Sequence, residues 1–175
     1  MRTLAKIYSD IVKEFPYHSD KGSSHSYISV YDSLFDSIKD NKMRVLEIGV
    51  EYGTSLIMWA RYFKNSEVVG LDINTANVKY DVSPAKLIQG NSLDKSLNLG
   101  MFDLIIDDGG HDVETQANTI LNMRDRLYPG GHYVIEDIFV ENVKSLSNLL
   151  GKNTCVYDLR ALKYRADDIV ICSVK

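Results

Sequence analysis

Two short acidic runs hold the densest chemistry in the chain. Asp107 and Asp108 close the run FDLII and are followed by Gly109, Gly110 and His111, while Glu136 and Asp137 close the run HYVI. Four carboxylates brought to one sheet edge repel one another unless a cation lies between them. Oxygen ligands suit a hard ion, above all Mg²⁺ that keeps some of its water. His111, past a Gly-Gly turn, can face the same space. An imidazole titrating near neutrality is suited to take a proton from a metal-bound hydroxyl. Taken singly, an acid pair after a strand also serves as a helix cap, and a His after a turn as a surface residue; the combination at two successive strand ends is the informative feature.

A second constellation lies upstream. VLEIGVEYGTSL places Glu47 at a strand end and Gly49 and Gly53 in the turn, with Thr54 or Ser55 positioned to cap the next helix. Asp72 closes the following strand at roughly the 20-residue spacing of a ribose-binding acid, and Gly90, Asn91 and Ser92 follow the third strand. A dinucleotide turn would read GxGxxG and cradle a pyrophosphate. Here Glu47 and Glu51 make a poor phosphate cradle. They suit a cofactor bearing an ammonium and a sulfonium, S-adenosylmethionine, although a plain strand-turn-helix corner also fits these residues.

These residues must be positioned by a sheet. From Arg44 onward, short aliphatic runs (RVLEI, EVVGLDI, AKLIQ, FDLII, HYVI) alternate with amphipathic helical stretches (SLIMWARYF, VETQANTILNM). Strand and helix in alternation imply a Rossmann-like, doubly wound, mostly parallel α/β sheet in three layers, with ligands beyond the carboxyl ends of the strands. After the helix NVKSLSNLLGK, the runs NTCVYDLR and DDIVICSVK, joined by a short charged link around residues 163–167, predict a closing antiparallel hairpin. Upstream, Leu4, Ile7, Ile11 and Phe15 recur at helical spacing, and Tyr31, Leu34, Phe35 and Ile38 repeat the pattern. Residues 1–40 are expected as N-terminal helices and a lid loop packed on a catalytic unit at 41–175. The opening stripe has either its own core or a second subunit to cover it, so a homo-oligomer stays open.

Composition narrows the class. The 175 residues are 45% hydrophobic and 25% charged, with three prolines and a net charge of −4, which excludes disorder and repeats and argues against sequestration of nucleic acid. The longest apolar stretch, Leu56 to Ala60, is far short of the roughly 18 residues of a membrane span. Lys6, Asp10, Lys13 and Glu14 interrupt any secretory signal, so a cytoplasmic location without membrane attachment is expected. Cys155 and Cys172 show no metal or redox spacing and are expected as buried thiols. The 11 tyrosines predict an aromatic-lined cleft or a half-exposed core.

Over residues 44–139 the sequence resembles the class I S-adenosylmethionine-dependent methyltransferases. The resemblance implies that Glu47, Gly49 and Gly53 border the methionine part of the cofactor and that Asp72 holds the ribose. Asn91, with Ser92 beside it, stands where an adenine-binding acid is common, and its carbonyl can accept from the adenine amino group. Asp107 is grouped with these cofactor residues. DDGGH together with VIED closely resembles the macrocin and mycinamicin O-methyltransferase family, which methylates sugar hydroxyls with Mg²⁺. That resemblance implies Asp108, Glu136 and Asp137 as metal ligands and His111 as the base, with Gly110 replacing a common Ser. SDKGSSHSYISVYDSLF resembles the family's front segment, making Lys21, His25 and Tyr27 lid and substrate candidates and extending the likeness to residues 18–139. Antibiotic-tailoring relatives carry more sequence before this domain and a longer insertion after the VIED strand. The implied acceptor is therefore a hydroxyl of a sugar, nucleotide sugar, glycan or small metabolite in a more open site. A catechol-like diol, with Tyr17, Tyr27 or Tyr133 as a stacking wall, and a non-catalytic cofactor-binding protein are the alternatives.

Overall fold

The computed structural model describes residues 3–175; Met1 and Arg2, which open the expected N-terminal unit, lie outside the described residues. Seven strands form one sheet: β1 (Arg44–Ile48), β2 (Glu67–Asp72), β3 (Lys86–Gln89), β4 (Phe102–Asp107), β5 (Leu127–Ile135), β6 (Thr154–Asp158) and β7 (Ile169–Val174), in the spatial order β3-β2-β1-β4-β5-β7-β6. The first five are parallel, β7 runs antiparallel to β5, and β6 antiparallel to β7. This is the doubly wound sheet with its antiparallel closing pair. The connection between β6 and β7 is longer than a tight link, because it holds a helical turn, α6 (Arg160–Lys163).

Side chains alternate across each strand and so divide the core in two. Val45, Leu104, Ile106, Val134 and Val170 pack on one face beneath α1 (Leu4–Glu14), α2 (Tyr27–Phe35) and α3 (Thr54–Tyr62), with Trp59 fully buried among them. Leu46, Ile48, Ile105, Tyr133, Ile135 and Ile171 pack on the other face against α4 (Val113–Met123) and α5 (Val143–Leu150). With both faces covered, the strands read as nearly continuous apolar runs.

The opening helix is capped by Thr3, whose hydroxyl accepts from the Lys6 amide at 3.2 Å. Its stripe of Leu4, Ile7 and Ile11 is buried in the same cluster as Tyr31, Phe35 and Trp59, so this chain covers it with its own core. Of the two thiols expected to be buried, Cys172 on β7 is, whereas Cys155 is exposed, because β6 is the edge strand of the sheet. Among the described residues no helix is long and apolar enough to cross a membrane.

Ile11 is fully buried. Ile11→Ala should lower the unfolding free energy by about 2–5 kcal/mol. Urea denaturation should show the same loss at every protein concentration; a concentration-dependent loss would place the stripe at an interface between copies.

Candidate functional site

A cavity of about 630 Å³ opens beyond the carboxyl ends of the parallel strands. Gly49, Glu51 and Tyr52 after β1, Asp72 at the end of β2, Gly90, Asn91 and Ser92 after β3, Asp108 to His111 after β4 and Asp137 after β5 contribute to its wall. The lining residues include five acids, Asp20, Glu51, Asp72, Asp108 and Asp137, and neither Lys nor Arg. Such a wall favours a cationic ligand and disfavours a phosphate.

The β1 turn brings its backbone close to the site. Gly49 has φ +83°, and a side chain there would place its first carbon 2.0 Å from the Asp108 carbonyl oxygen; Gly53 has φ +92°. Asp72 braces this turn while lining the cavity, its carboxylate accepting from the amides of Val50 at 2.7 Å, Glu51 at 3.1 Å and Asn74 at 2.8 Å. The Asn91 side-chain carbonyl, expected to face an adenine, accepts from the Leu93 amide at 2.9 Å. Ser92 Oγ lies 3.2 Å from Thr119 Oγ1. Gly53, not Thr54 or Ser55, is the N-cap of α3.

Two expected cofactor acids do not line the cavity. Glu47 shares strand parity with Val45, so it points beneath α3, where it accepts from Ser55 Oγ at 3.0 Å and Trp59 Nε1 at 2.8 Å. Burial pushes its carboxyl up to about 7 against the pull of Lys21. Asp107 shares parity with Ile105 and points to the opposite face, where the Tyr133 hydroxyl donates to it at 2.8 Å; burial pushes it to about 7 as well. Tyr133 is thereby committed to Asp107 and is no stacking wall.

Asp108, His111 and Asp137 meet at the cavity wall, each offering a ligand atom within 4.8 Å of the others. This oxygen and imidazole set fits a divalent cation. His111 Nδ1 lies 3.1 Å from Asp137 Oδ2, and hydrogen bonding to Asp137 raises the imidazole to about 9 despite partial burial. Asp137 is kept below the usual carboxylate range: burial opposes this, but the bonds from His111 and Tyr27 outweigh it. Its φ of +56° is left-handed, a strained conformation for a residue other than Gly. Gln116 Nε2 steadies that corner by donating to the backbone carbonyls of Glu136 at 3.2 Å and Asp137 at 3.4 Å.

Glu136, the third expected metal acid, directs both oxygens at Lys21 Nζ, at 2.9 and 2.8 Å. The same ammonium lies 2.5 Å from Asp108 Oδ2 and 3.8 Å from Glu47 Oε1. Burial alone would lower the pKa of Lys21; the charges of Asp108, Glu136 and Glu47 more than reverse this and keep it protonated.

The front segment is therefore not a solvated loop with its charges turned outward, and its Ser19 and Asp20 line the cavity. Lys21 and Tyr27 are fully buried and His25 is 1% exposed. Tyr27 Oη donates to Asp137 Oδ1 at 2.6 Å, and the His25 ring, stacked on Tyr27, sits 3.3 Å from both Asp137 and Asp168. Tyr8 Oη holds the Ser19 carbonyl at 2.9 Å, and Lys163 Nζ holds the carbonyls of Gly22 at 2.7 Å and Ser23 at 2.9 Å. Of the three tyrosines considered as a wall, Tyr17 is exposed, its ring 5.4 Å from that of the cavity-lining Tyr52.

Sequence reasoning read Tyr31 only as part of an apolar stripe. It lies one helical turn after Tyr27, and its hydroxyl donates to Glu136 just as Tyr27 donates to Asp137. Two tyrosines at i and i+4 on a buried helix face were the available signal.

A family model described as a methyltransferase domain matches residues 46–138. The mycinamicin VI 2''-O-methyltransferase of Micromonospora griseorubida is 34% identical over 131 residues, 67% of this chain and 33% of its own length. A rhamnosyl tetracenomycin-C 2'-O-methyltransferase of Streptomyces olivaceus is 33% identical over 132 residues, 69% of this chain and 35% of its own. The chain thus spans about a third of the length of these curated relatives. Among solved structures, the MycE methyltransferase of the mycinamycin biosynthetic pathway, in complex with Mg, SAH and mycinamycin VI, superposes with a TM-score of 0.65 at 31% identity, covering 78% of this chain and 37% of that one. An O-methyltransferase from Bacillus cereus in complex with SAH shares the fold at 15% identity, with a TM-score of 0.66 over 98% of this chain and 90% of that one. With a sheet of this order, a glycine turn bordering an acid-lined cavity and more than half of its length matched by the family model, the chain belongs to the methyltransferase domain family.

Proposed function

We propose that the protein is an S-adenosylmethionine- and Mg²⁺-dependent O-methyltransferase acting on a hydroxyl of a sugar, whether free in a glycan, on a nucleotide or on a natural product. The observation that carries this reading is the single cavity that joins the β1 glycine turn and Asp72 to the cluster of Asp108, His111 and Asp137, with an acidic wall suited to a sulfonium ligand. The sugar class rests on the relatives, among them the 2'-O-methyltransferase of a rhamnosyl tetracenomycin, whose name carries a sugar, at 33% identity.

In this reading Gly49 gives the cofactor close access to backbone, Gly53 makes the left-handed turn into α3 behind it, Asp72 takes the ribose hydroxyls, and Asn91 and Ser92 border the base. Asp108 and Asp137 hold the metal at the cavity wall, with Glu136 behind them. When bound, the cofactor supplies the methyl group and the metal supplies Lewis acidity that makes a chelating hydroxyl easier to deprotonate. His111 acts at Nε2. Its Nδ1 faces Asp137 at 3.1 Å, and because that carboxylate raises the imidazole to about 9, only the deprotonated ring would take the acceptor proton at Nε2, so the rate should rise with pH toward that value. Tyr27 and Gln116 hold Asp137 in its left-handed conformation, so the base and the metal acid keep their relation before the acceptor arrives.

Methyl transfer from S-adenosylmethionine to a panel of sugar glycosides and nucleotide sugars, followed by product mass spectrometry, should stop with EDTA and return with Mg²⁺. His111→Ala should lower kcat by about 10²–10⁴-fold. Full activity under both conditions would rule out the mechanism.

Asp72→Ala should weaken cofactor binding by about 10–100-fold, the loss expected when a charged hydrogen-bond partner worth about 1.5–3 kcal/mol is removed. Calorimetry with S-adenosylhomocysteine reads this without any acceptor; unchanged affinity would move the ribose site elsewhere.

A further inference from the structure

The order of the sheet limits where an acceptor can lie. Across the sheet, Asp72 stands at the end of β2, the cluster of Asp108, His111 and Asp137 at the ends of β4 and β5, and β7 and β6 follow beyond it. With the cofactor on the β2 side of the cluster, the acceptor has the β7 side. Because β7 runs antiparallel to β5, its first residues stand beside the last of β5: Ile171 pairs with Ile135, and the Ile138 amide donates to the Ile169 carbonyl at 3.3 Å. The β6–β7 connection, residues 159–168, therefore leaves the sheet at the catalytic edge.

This connection is held in place and carries an ion pair that the mechanism does not use. Lys163 Nζ donates to the carbonyl of His25 as well as to those of Gly22 and Ser23, the Ser26 amide donates to Asp168 Oδ1 at 3.1 Å, and the Tyr27 hydroxyl lies 3.2 Å from the Asp167 carbonyl. Arg165 Nε and Nη2 donate to Oδ1 and Oδ2 of Asp167 at 3.0 and 2.9 Å. Arg165 Nη1 has no partner among the described residues, and each Asp167 oxygen keeps a lone pair. The two side chains are 38% and 19% exposed, within reach of a ligand without being freely solvated. The Arg165 guanidinium is raised first by its bonds to Asp167 and then by the charges of Asp137 and Asp20, and Asp167 adds to the effect of Asp137 and Asp108 on His111, so the pair faces the outer end of the cluster. Tyr164, the residue before the pair, is 93% exposed. An aromatic ring beside a fixed ion pair suits a sugar, which has an apolar ring face and hydroxyls that both donate and accept.

We propose that Arg165 and Asp167 orient the acceptor: they hydrogen-bond a hydroxyl of the acceptor sugar other than the one that is methylated, and so determine which hydroxyl meets His111. The inference rests on the proposed function and adds the source of its positional selectivity. The cluster alone holds the sugar by one edge and leaves it free to turn; a second contact at the rim removes that freedom. Neither residue lines the cavity, so their loss leaves the cofactor site intact.

The test assays each glycoside and nucleotide sugar that the wild-type full chain methylates, together with its monodeoxy analogues. Asp167→Asn and Arg165→Gln should each raise the acceptor KM by about 10–100-fold, the loss expected for a charged hydrogen-bond partner, and should yield a mixture of positional isomers. Affinity for S-adenosylhomocysteine, measured by calorimetry, should stay at the wild-type value. One monodeoxy analogue should lose as much with wild type and nothing more with Asp167→Asn, a dependence on a single hydroxyl that a merely structural role would not produce. Arg165→Lys, which keeps the charge, should recover part of the affinity; it carries the comparison if either other variant fails to fold. Unchanged KM and product position in the folded variants would overturn the proposal, as would a loss that is the same with every deoxy analogue as with the parent sugar. Both outcomes leave the proposed function standing, whereas a wild type that methylates no sugar overturns the two together.

Discussion

The structure of the site depends on one buried charge. Removing an ammonium or a carboxylate from water is so costly that each is tolerated inside a protein only with a partner. Lys21, Glu136, Glu47 and Asp108 meet that condition together and none of them meets it alone. The consequence is architectural. Lys21 belongs to the segment before α2, while its partners sit at the ends of β1, β5 and β4, so the ion cluster ties the N-terminal helices to the catalytic edge of the sheet. Tyr27 and Tyr31 extend the same tie from the first turns of α2 to Asp137 and Glu136.

Strand parity then determines which acids are available for chemistry. Successive residues of a strand face opposite sides, so Glu47 and Asp107, within their strands, are carried into the two cores, one beneath Trp59 and the other against Tyr133. Asp108 and Asp137, just beyond their strands, escape this constraint and reach the cavity together with Asp72, the last residue of β2. The division explains why acids adjacent in sequence have unlike surroundings: Asp107 is held by a tyrosine hydroxyl and a backbone amide, Asp108 by an ammonium.

Rigidity at the outer end has a local cause. Asp137 adopts a left-handed backbone conformation, and the surrounding bonds from Tyr27 and Gln116 over-determine it. Strain of this kind is retained where a side chain must be aimed, and here it aims Asp137 toward His111 and the cavity.

The mostly parallel sheet, its antiparallel closing pair, the glycine turn and the residue types at the strand ends follow from local rules, and the sequence alone was sufficient for them: apolar runs alternating with amphipathic stretches leave few topologies, and punctuation by Gly and Asp marks the strand ends. The opening stripe was legible as a stripe, but its occupant was not, since Leu4, Ile7 and Ile11 look alike whether they meet Trp59 or another copy. Cys155 and Cys172 sit in similar apolar runs, and only the place of β6 at the sheet edge separates them. The front segment reads as polar and its burial was not legible, because burial of a lysine depends on partners 26, 87 and 115 residues away in the chain. Local sequence therefore determined which chemical groups stand at the strand ends; tertiary structure decided which of them faces the cavity and which cation neutralises them, because charge pairing is a property of distance in space and not of spacing along the chain.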